Sequence, residues 1–272
     1  VHDLATCRGF TQVPIVFEGN APSDIRENPD FLAALAAKPT SRPAAASAWL
    51  GAPNSIKGHT AAVFKRQTAA NLLIVSQTAE RSLTMLSQSI TSLAAQYPAD
   101  GAEFFILDPS AADETQESEL SRIAATLPHR TRIGGPGQTA PIFTELAAAL
   151  DSRATDSGRG APEIFVIVHD LQRFKSLRPD DEFKFSYDEN ASAASPSQTL
   201  ASLLGEGGPS GIHLLASIDG WNNISRWIPR KLLAEFEMRV LFQMSAADSS
   251  NLIDTPEAAT LGLHRALLHN DN

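Results

Sequence analysis

Short apolar runs alternate with stretches of helical periodicity from residue 72 to residue 243. The first run, 72–75, is followed by 79–96, where leucine and isoleucine recur every three or four residues and predict an amphipathic helix. Further strands are predicted at 103–107, 164–168, 212–217 and 238–243, and further helices at 118–126, 139–153, 198–204 and 229–235. Strands that are apolar throughout are buried on both faces, so this alternation predicts an α/β fold with helices on both sides of a mostly parallel sheet.

The first 46 residues have a different pattern. A strand is predicted at 13–17 and a helix at 23–37, capped by Ser23 or Asp24, and the segment 38–46 contains two prolines among small residues. We therefore predict a small N-terminal helical and strand appendage with its linker over residues 1–46, and one compact domain over residues 47–272.

Inside the compact domain, two further features precede and interrupt the alternation. Short strands at 49–51 and 61–65 are expected to feed the strand at 72–75. Polar stretches at 156–162 and 178–197 predict surface loops, because they combine glycine, serine and charged residues without periodicity.

The composition limits the class of protein. A chain of 272 residues with 43% hydrophobic content can bury a substantial core. The single cysteine, Cys7, excludes an intrachain disulfide, and no apolar run approaches the roughly 20 residues that cross a bilayer. Because the chain begins at Val1 without a signal pattern, we expect a cytoplasmic piece of a longer polypeptide without direct membrane contact, whose anchor or targeting signal would lie elsewhere.

The formal net charge of -9 does not favour nucleic-acid binding, which relies on clustered Lys and Arg. Residues 100–119 contain seven acidic side chains and no basic one. Two interpretations remain open for this segment: a solvated helix face with its loop, or an acidic docking surface.

Four ordered segments carry a family resemblance. They are the 71–75 strand with its loop and helix, Ile-Phe-Val-Ile-Val-His-Asp-Leu at 164–171, Gly-Ile-His-Leu-Leu-Ala-Ser at 211–217, and the closing stretch at 239–262. Together they resemble the FtsK/SpoIIIE-type translocase domains of the RecA-like class, which also occur in tandem in type VII secretion ATPases. The resemblance spans roughly residues 48–269. It implies a RecA-like three-layer domain, with a nucleotide held after the 72–75 strand.

The chemistry-bearing positions of that family differ here. A phosphate loop needs glycines that free backbone N–H groups and a lysine that reaches the phosphates, and residues 76–82 contain neither. Glu80 would repel phosphates, and Ile218 replaces a polar glutamine. The positions of the degenerate nucleotide pocket are Ser76, Gln77, Thr78, Ala79, Glu80, Arg81, Ser82, His169, Asp170 and Ser217. We predict a pseudo-ATPase without catalytic residues or cofactor, with residual ATP and magnesium binding through Arg81 and Ser82 as the alternative.

Two residues at the end of the 164–168 strand allow two interpretations. His169 and Asp170 stand where the resemblance places the magnesium-associated and catalytic acids. They are either a surviving acid/base or metal pair, or a half-buried histidine and a loop-capping aspartate. Adjacent strand residues point to opposite faces, so a shared ligand is not expected. The other histidines lack ligand spacing, so no metal site is predicted, and the glycine-rich 134–139 predicts a turn with Thr139 as a helix cap.

Two tryptophans and neighbouring arginines form the remaining candidate site. Trp221, Arg226, Trp227 and Arg230 follow the 212–217 strand and have the composition of an interface anchor. Core packing of both tryptophans is an equal alternative. This is also the place where basic and aromatic side chains could meet DNA.

The sequence therefore predicts a non-catalytic FtsK/SpoIIIE-like module of a larger translocase or secretion-type ATPase, acting in assembly or protein docking. Its expected partners are other ATPase domains of the same longer chain or complex, or a docking protein. The alternative function is an ATP-binding DNA-translocase motor domain, of the kind used in DNA segregation and cell division, with an atypical nucleotide site. The isolated domain is predicted to be a monomer, since it lacks nucleotide at subunit junctions.

Overall fold

The computed structural model describes residues 22–53, 58–112, 117–154, 160–179 and 194–270. Cys7 and the strand predicted at 13–17 lie outside these residues. The strands are β1 (Ala46–Gly51), β2 (Thr60–Phe64), β3 (Leu72–Val75), β4 (Ala102–Leu107), β5 (Arg130–Gly134), β6 (Glu163–Val168), β7 (Ile212–Ile218), β8 (Met238–Phe242) and β9 (Ala266–Asn270). The helices are α1 (Pro29–Ala37), α2 (Ala79–Ala94), α3 (Glu119–Thr126), α4 (Thr139–Ala154), α5 (Pro196–Glu206), α6 (Trp221–Trp227), α7 (Arg230–Leu233) and α8 (Ala246–Ile253).

Within the described residues, seven strands form one sheet in the order β5-β4-β6-β7-β3-β8-β9. Every pairing is parallel except that of β8 with β9, which is antiparallel. All residues of β3, β6, β7 and β8 are buried, as expected for strands covered on both faces. The predicted α/β fold with a mostly parallel central sheet is confirmed.

Apolar side chains form a layer on each side of the sheet. On one side, α4 and α5 contribute Phe143 and Leu203 to a cluster that includes the side chains of Leu73 and Val166. On the other side, α2 contributes Leu86 among others, packed with the second set of strand side chains. Full burial of each such side chain stabilises the fold by roughly 1.5–3 kcal/mol. These two layers leave the ends of the strands uncovered, and the loops that follow the strands lie there.

The first two strands do not feed β3, contrary to the sequence prediction. They pair with each other as a separate antiparallel sheet, with Ala48 opposite Ala62. The side chain of Gln96 holds this hairpin on α2: it accepts a hydrogen bond from the Ser47 N–H at 2.9 Å and donates one to the Ser47 carbonyl at 2.7 Å. A short hairpin needs such tertiary contacts, because two strands alone are marginally stable.

The N-terminal helix begins later than predicted. Asp24 caps a 3-10 turn at Ile25–Glu27, and the helix proper starts at Pro29. Asn28 caps it, since its side-chain oxygen accepts hydrogen bonds from the next two free N–H groups. Proline at the first helical position explains the break, because it lacks an N–H and suits only that place. The ring of Phe31 then packs edge-on against Trp49, with centroids 6.1 Å apart.

Four elements were missed from the pattern: β5, β9, α6 and α8. Each is short, and β5 and β9 lie at the sheet edges, where exposed residues break the apolar runs. The predicted helix at 229–235 is a single turn, Arg230–Leu233. Thr139 is not a cap: it is the first residue of α4, and its hydroxyl donates to the Pro136 carbonyl at 2.9 Å. The boundary near residue 46 between appendage and domain stays a prediction.

Candidate functional site

The carboxyl ends of the parallel strands gather polar residues at one edge of the sheet. Ser76 follows β3, Asp108 follows β4, His169 follows β6, Asp219 follows β7 and Gln243 follows β8. Ligands of open α/β sheets bind in the crevice outside these strand ends. This edge is therefore where a ligand pocket is expected.

The connection from β3 to α2 has only three residues, 76–78. It is closed by its own side chain: the Ser76 hydroxyl accepts from the Thr78 N–H at 3.2 Å and donates to the Thr78 carbonyl at 2.9 Å. A phosphate loop instead spreads about six residues, from its first to its second glycine, before the lysine that follows. The connection is a tight turn that leads directly into the helix.

The first turn of α2 carries the remaining loop positions. Glu80 is exposed, and the Arg81 guanidinium lies over the Phe242 ring at 5.9 Å from its centroid. Ser82 is buried, and its hydroxyl donates to the Ala79 carbonyl at 2.9 Å. Thr78 is the N-cap residue but makes no side-chain capping bond. The predicted hydroxyl for a metal is thus engaged inside the helix.

An open depression lies between this turn and the loop that follows β8. It has a volume of about 360 Å³. Its lining residues are Ser76, Gln77, Thr78, Arg81, Phe242, Gln243, Met244 and Ser245. Arg81 is the one cation among them. The depression is within the usual size range of ligand sites, but it is more polar than most of them.

A buried histidine between two carboxylates forms the second part of the site. His169 Nδ1 lies 3.5 Å from Asp108 Oδ1, and His169 Nε2 lies 3.9 Å from Asp170 Oδ1. Asp108 and His169 are both buried, and Asp108 Oδ1 accepts a hydrogen bond from the Ser110 N–H at 3.0 Å. The two histidine distances are too long for good hydrogen bonds, so the attraction is mainly that of an ion pair when the ring is protonated.

The ionisation of this pair is shifted by its surroundings. Burial disfavours the protonated ring, but the partnership with Asp108 and the charge of Asp170 outweigh it and raise the pKa of His169. For Asp108, burial also disfavours the charged form, yet its interactions with His169 and Ser118 and the hydrogen bond from the Ser110 amide lower its pKa. Protonated His169 and ionised Asp108 are therefore the forms that stabilise each other.

The side chains of His169 and Asp170 approach each other although they are neighbours in the chain. The alternation expected of a strand stops at His169, because Asp170 has a left-handed backbone with φ of 54°. The Asp170 N–H donates to the buried Ser217 hydroxyl at 2.9 Å. This bond ties the end of β6 to β7 and joins two of the predicted pocket residues, Asp170 and Ser217.

Sequence reasoning missed Asp108, and it also missed the part of the depression that follows β8, lined by Phe242, Gln243, Met244 and Ser245. Asp108 was counted with the acidic residues of 100–119. The available signal was its place directly after an apolar strand, at the end where ligand sites form. Across the described residues, no three His, Cys, Asp or Glu side chains are arranged to hold a metal ion.

The tryptophan segment is partly buried. Trp221 and Trp227 both pack against the core cluster while keeping part of their surface exposed. The Trp227 indole N–H donates to the Phe174 carbonyl at 3.3 Å. Arg226 and Arg230 are exposed beside it. Each ring therefore packs partly against the core and keeps a partly exposed surface.

No helix in the described part of the chain has both the length and the apolar character to span a membrane. The longest, α2 and α4, have 16 residues each.

Comparison with solved structures gives several similar folds. The EccC ATPases 2 and 3 of Thermomonospora curvata, solved in complex with a signal sequence peptide, are 16% identical over 84% of this chain and 41% of theirs, with a TM-score of 0.60. The pCW3 conjugation coupling protein TcpA, solved as a monomer with ATPγS, is 12% identical over 95% of this chain and 68% of its own, with a TM-score of 0.59. EssC ATPases 2 and 3 from Geobacillus thermodenitrificans are 14% identical over 96% and 46%, with a TM-score of 0.54.

No family model matches the chain, and no curated protein matches it. The chain spans about two fifths of the EccC structure and less than half of the EssC structure. These identities are low, so they speak for the fold alone. The chain has the fold of the FtsK/SpoIIIE-like ATPase domains found in type VII secretion ATPases and in a conjugation coupling protein.

Proposed function

We propose that this domain is a non-catalytic FtsK/SpoIIIE-like module of a larger translocase or secretion-type ATPase, acting in assembly or protein docking. The three-residue connection between β3 and α2 carries the proposal. Phosphates are held by consecutive free N–H groups of a longer glycine-rich loop, and a turn closed by Ser76 has no such loop to offer.

The charges around the turn support the same conclusion. Glu80 stands in the first turn of α2, where the helix dipole would otherwise attract an anion. Arg81 offsets this charge in part, but its guanidinium is stacked on Phe242. Loss of one positioned group typically removes roughly 3–4 kcal/mol of transition-state stabilisation. With the lysine and the loop amides both missing, little hydrolysis is expected.

The similar structures support a place in a larger machine. EccC and EssC contain several ATPase domains, and this chain corresponds to part of each. We propose other ATPase domains of such a longer chain or complex as its neighbours, on the cytoplasmic side of a membrane. One of the similar structures holds a signal sequence peptide, which makes a docking role for this domain a natural proposal.

A thermal-shift titration with ATP and magnesium tests the proposal. A ligand at about 100 times its dissociation constant adds about 2.7 kcal/mol of stability. We expect an unchanged melting curve up to millimolar ATP. Arg81→Ala is the matched variant, since it removes the one cation of the depression. A rise in melting temperature that Arg81→Ala abolishes would contradict the proposal and favour the ATP-binding translocase.

A further inference from the structure

We propose that an exposed basic surface around Trp227 binds a glutamate- and aspartate-rich segment of a partner polypeptide. The surface consists of Arg173, Lys175, Arg178, Arg226, Trp227 and Arg230, and is called the Trp227 surface below. This inference names the partner chemistry of the docking role proposed above and rests on it.

Two chain segments meet at Trp227 and bring their cations together. The indole N–H of Trp227 donates to the Phe174 carbonyl at 3.3 Å, and the Arg178 guanidinium lies over the Trp227 ring at 5.6 Å from its centroid. Arg173 and Lys175 flank Phe174 in the chain, and both are exposed. Arg226 and Arg230, which flank Trp227 in the chain on α6 and α7, are exposed as well.

The cations of the Trp227 surface differ from the half-buried Arg66. None of them takes part in a salt bridge among the described residues, whereas Arg66 is paired with Glu163. Two acids of the neighbouring segments are engaged: the Asp219 carboxylate accepts from the Asn223 amide at 2.8 Å, and Asp170 lies against His169. In a chain with a net charge of -9, five such cations around one tryptophan favour an anionic partner.

A polypeptide fits this surface better than a nucleic acid. Nucleic acid is bound through many phosphates along a positive track, and the rest of this chain carries the opposite charge. Tryptophan and arginine are the residues most enriched where protein interfaces gain their affinity. Four of the five cations are arginines, whose planar fork pairs with carboxylates through two parallel hydrogen bonds.

Fluorescence anisotropy with a labelled glutamate-rich peptide tests the proposal. The comparison probes are the same peptide with glutamine for glutamate, and a DNA duplex of about 20 base pairs. The full chain is used. It includes the acidic residues Asp180, Asp181 and Glu182, which follow Arg178 in the sequence and lie outside the described residues, so any competition between them and the peptide is part of the measurement. We expect the glutamate peptide to bind at about 50 mM salt and to weaken at about 300 mM, and the other probes to bind at least tenfold more weakly.

The double variant R226E/R230E should weaken peptide binding at least tenfold. The control K65E/R122E makes the same change in net charge at two other exposed positions without a salt bridge among the described residues, and should change binding less than twofold. W227F should weaken binding as well, since it removes the indole that stacks on Arg178. Equal losses in the two double variants, equal binding of the glutamine peptide, or tighter binding of DNA would each overturn the proposal.

The ATP titration keeps this inference separate from the proposed function. If the glutamate peptide does not bind and ATP still gives no thermal shift, the proposed role of the Trp227 surface is wrong and the proposed non-catalytic function stands. If ATP stabilises the domain, the proposed function fails whatever the peptide does.

Discussion

His169 is held between Asp108 and Asp170 with almost none of its side chain exposed. Its pKa is raised in the folded chain, so protonation favours folding: the contribution is complete below the unfolded pKa and is lost as the pH rises through the folded pKa. The lowered pKa of Asp108 acts in the opposite range, where stability is lost as the pH falls through the folded value. The pair therefore matters most in mildly acidic solution.

His169→Gln tests this linkage. We expect the stability gap between wild type and variant to be larger at about pH 6 than at about pH 8.5, because the glutamine cannot carry the charge that the two aspartates attract. Denaturant unfolding at both values measures the gap. His129 and His213 also titrate with lowered pKa values, but they are present in both proteins and cancel in the difference. A gap that widens with rising pH would contradict the assignment.

Asn71 is a second residue whose role comes from its partners. It is fully buried before β3, where its amide N–H donates to the carbonyls of Leu204 and Glu235, and its oxygen accepts from the Leu214 N–H. These bonds join β3 to β7, to the end of α5 and to the segment after α7.

Asn71→Ala should lower the free energy of unfolding by about 3–5 kcal/mol, because two carbonyls and one N–H would be left without a partner in the core. Urea denaturation measures this loss. The exposed Asn222→Ala is the control, with an expected change within about 0.5 kcal/mol. A loss below about 1 kcal/mol at Asn71 would show that water replaces the amide.

Among the elements, the length of the β3-to-α2 connection is the basis of the proposed lack of ATPase chemistry. Its length follows from the helix, which starts at Ala79 and takes up the positions that a phosphate loop would use. A change of charge at one residue, such as Glu80, leaves the length of this connection unchanged.

Glu80→Lys should therefore leave the dissociation constant for magnesium ATP above about 1 mM, although it turns a repelling side chain into an attracting one. Calorimetric titration measures the affinity. The expected effect on stability is a loss of a few tenths of a kcal/mol, because a positive charge replaces a negative one at the start of a helix. Tight ATP binding by this variant would show that charge, not loop length, prevents nucleotide binding.

At the scale of the whole molecule, the prediction concerns assembly. The resemblance to FtsK-like domains implies rings that hold nucleotide at the junctions between subunits. A domain that binds no nucleotide, as proposed, lacks this source of cohesion between subunits. We expect the isolated domain to sediment as a monomer at micromolar concentration, with or without ATP. A concentration-dependent hexamer in sedimentation velocity would contradict this expectation. The measurement is made at low and at high salt, because copies with a net charge of -9 repel each other and salt screens this repulsion.

The pattern of apolar residues was enough to predict the central architecture. Apolar runs such as 72–75 and 212–217 are local features, and their burial on both faces follows from the continuous run of apolar residues. The missing glycines and lysine at 76–82 are likewise visible without coordinates. These properties belong to neighbouring residues in the chain, so the sequence by itself determined them.

Other features depended on residues far apart in the chain. Pairing of β1 with β2, the approach of Asp108 to His169 and the stacking of Arg178 on Trp227 each join separate segments. The left-handed turn at Asp170 also has no reliable local signal, since its N–H is fixed by Ser217 of a different strand. These contacts depend on the folded arrangement, because burial and hydrogen bonding across the sheet select one arrangement from many that the local pattern allows.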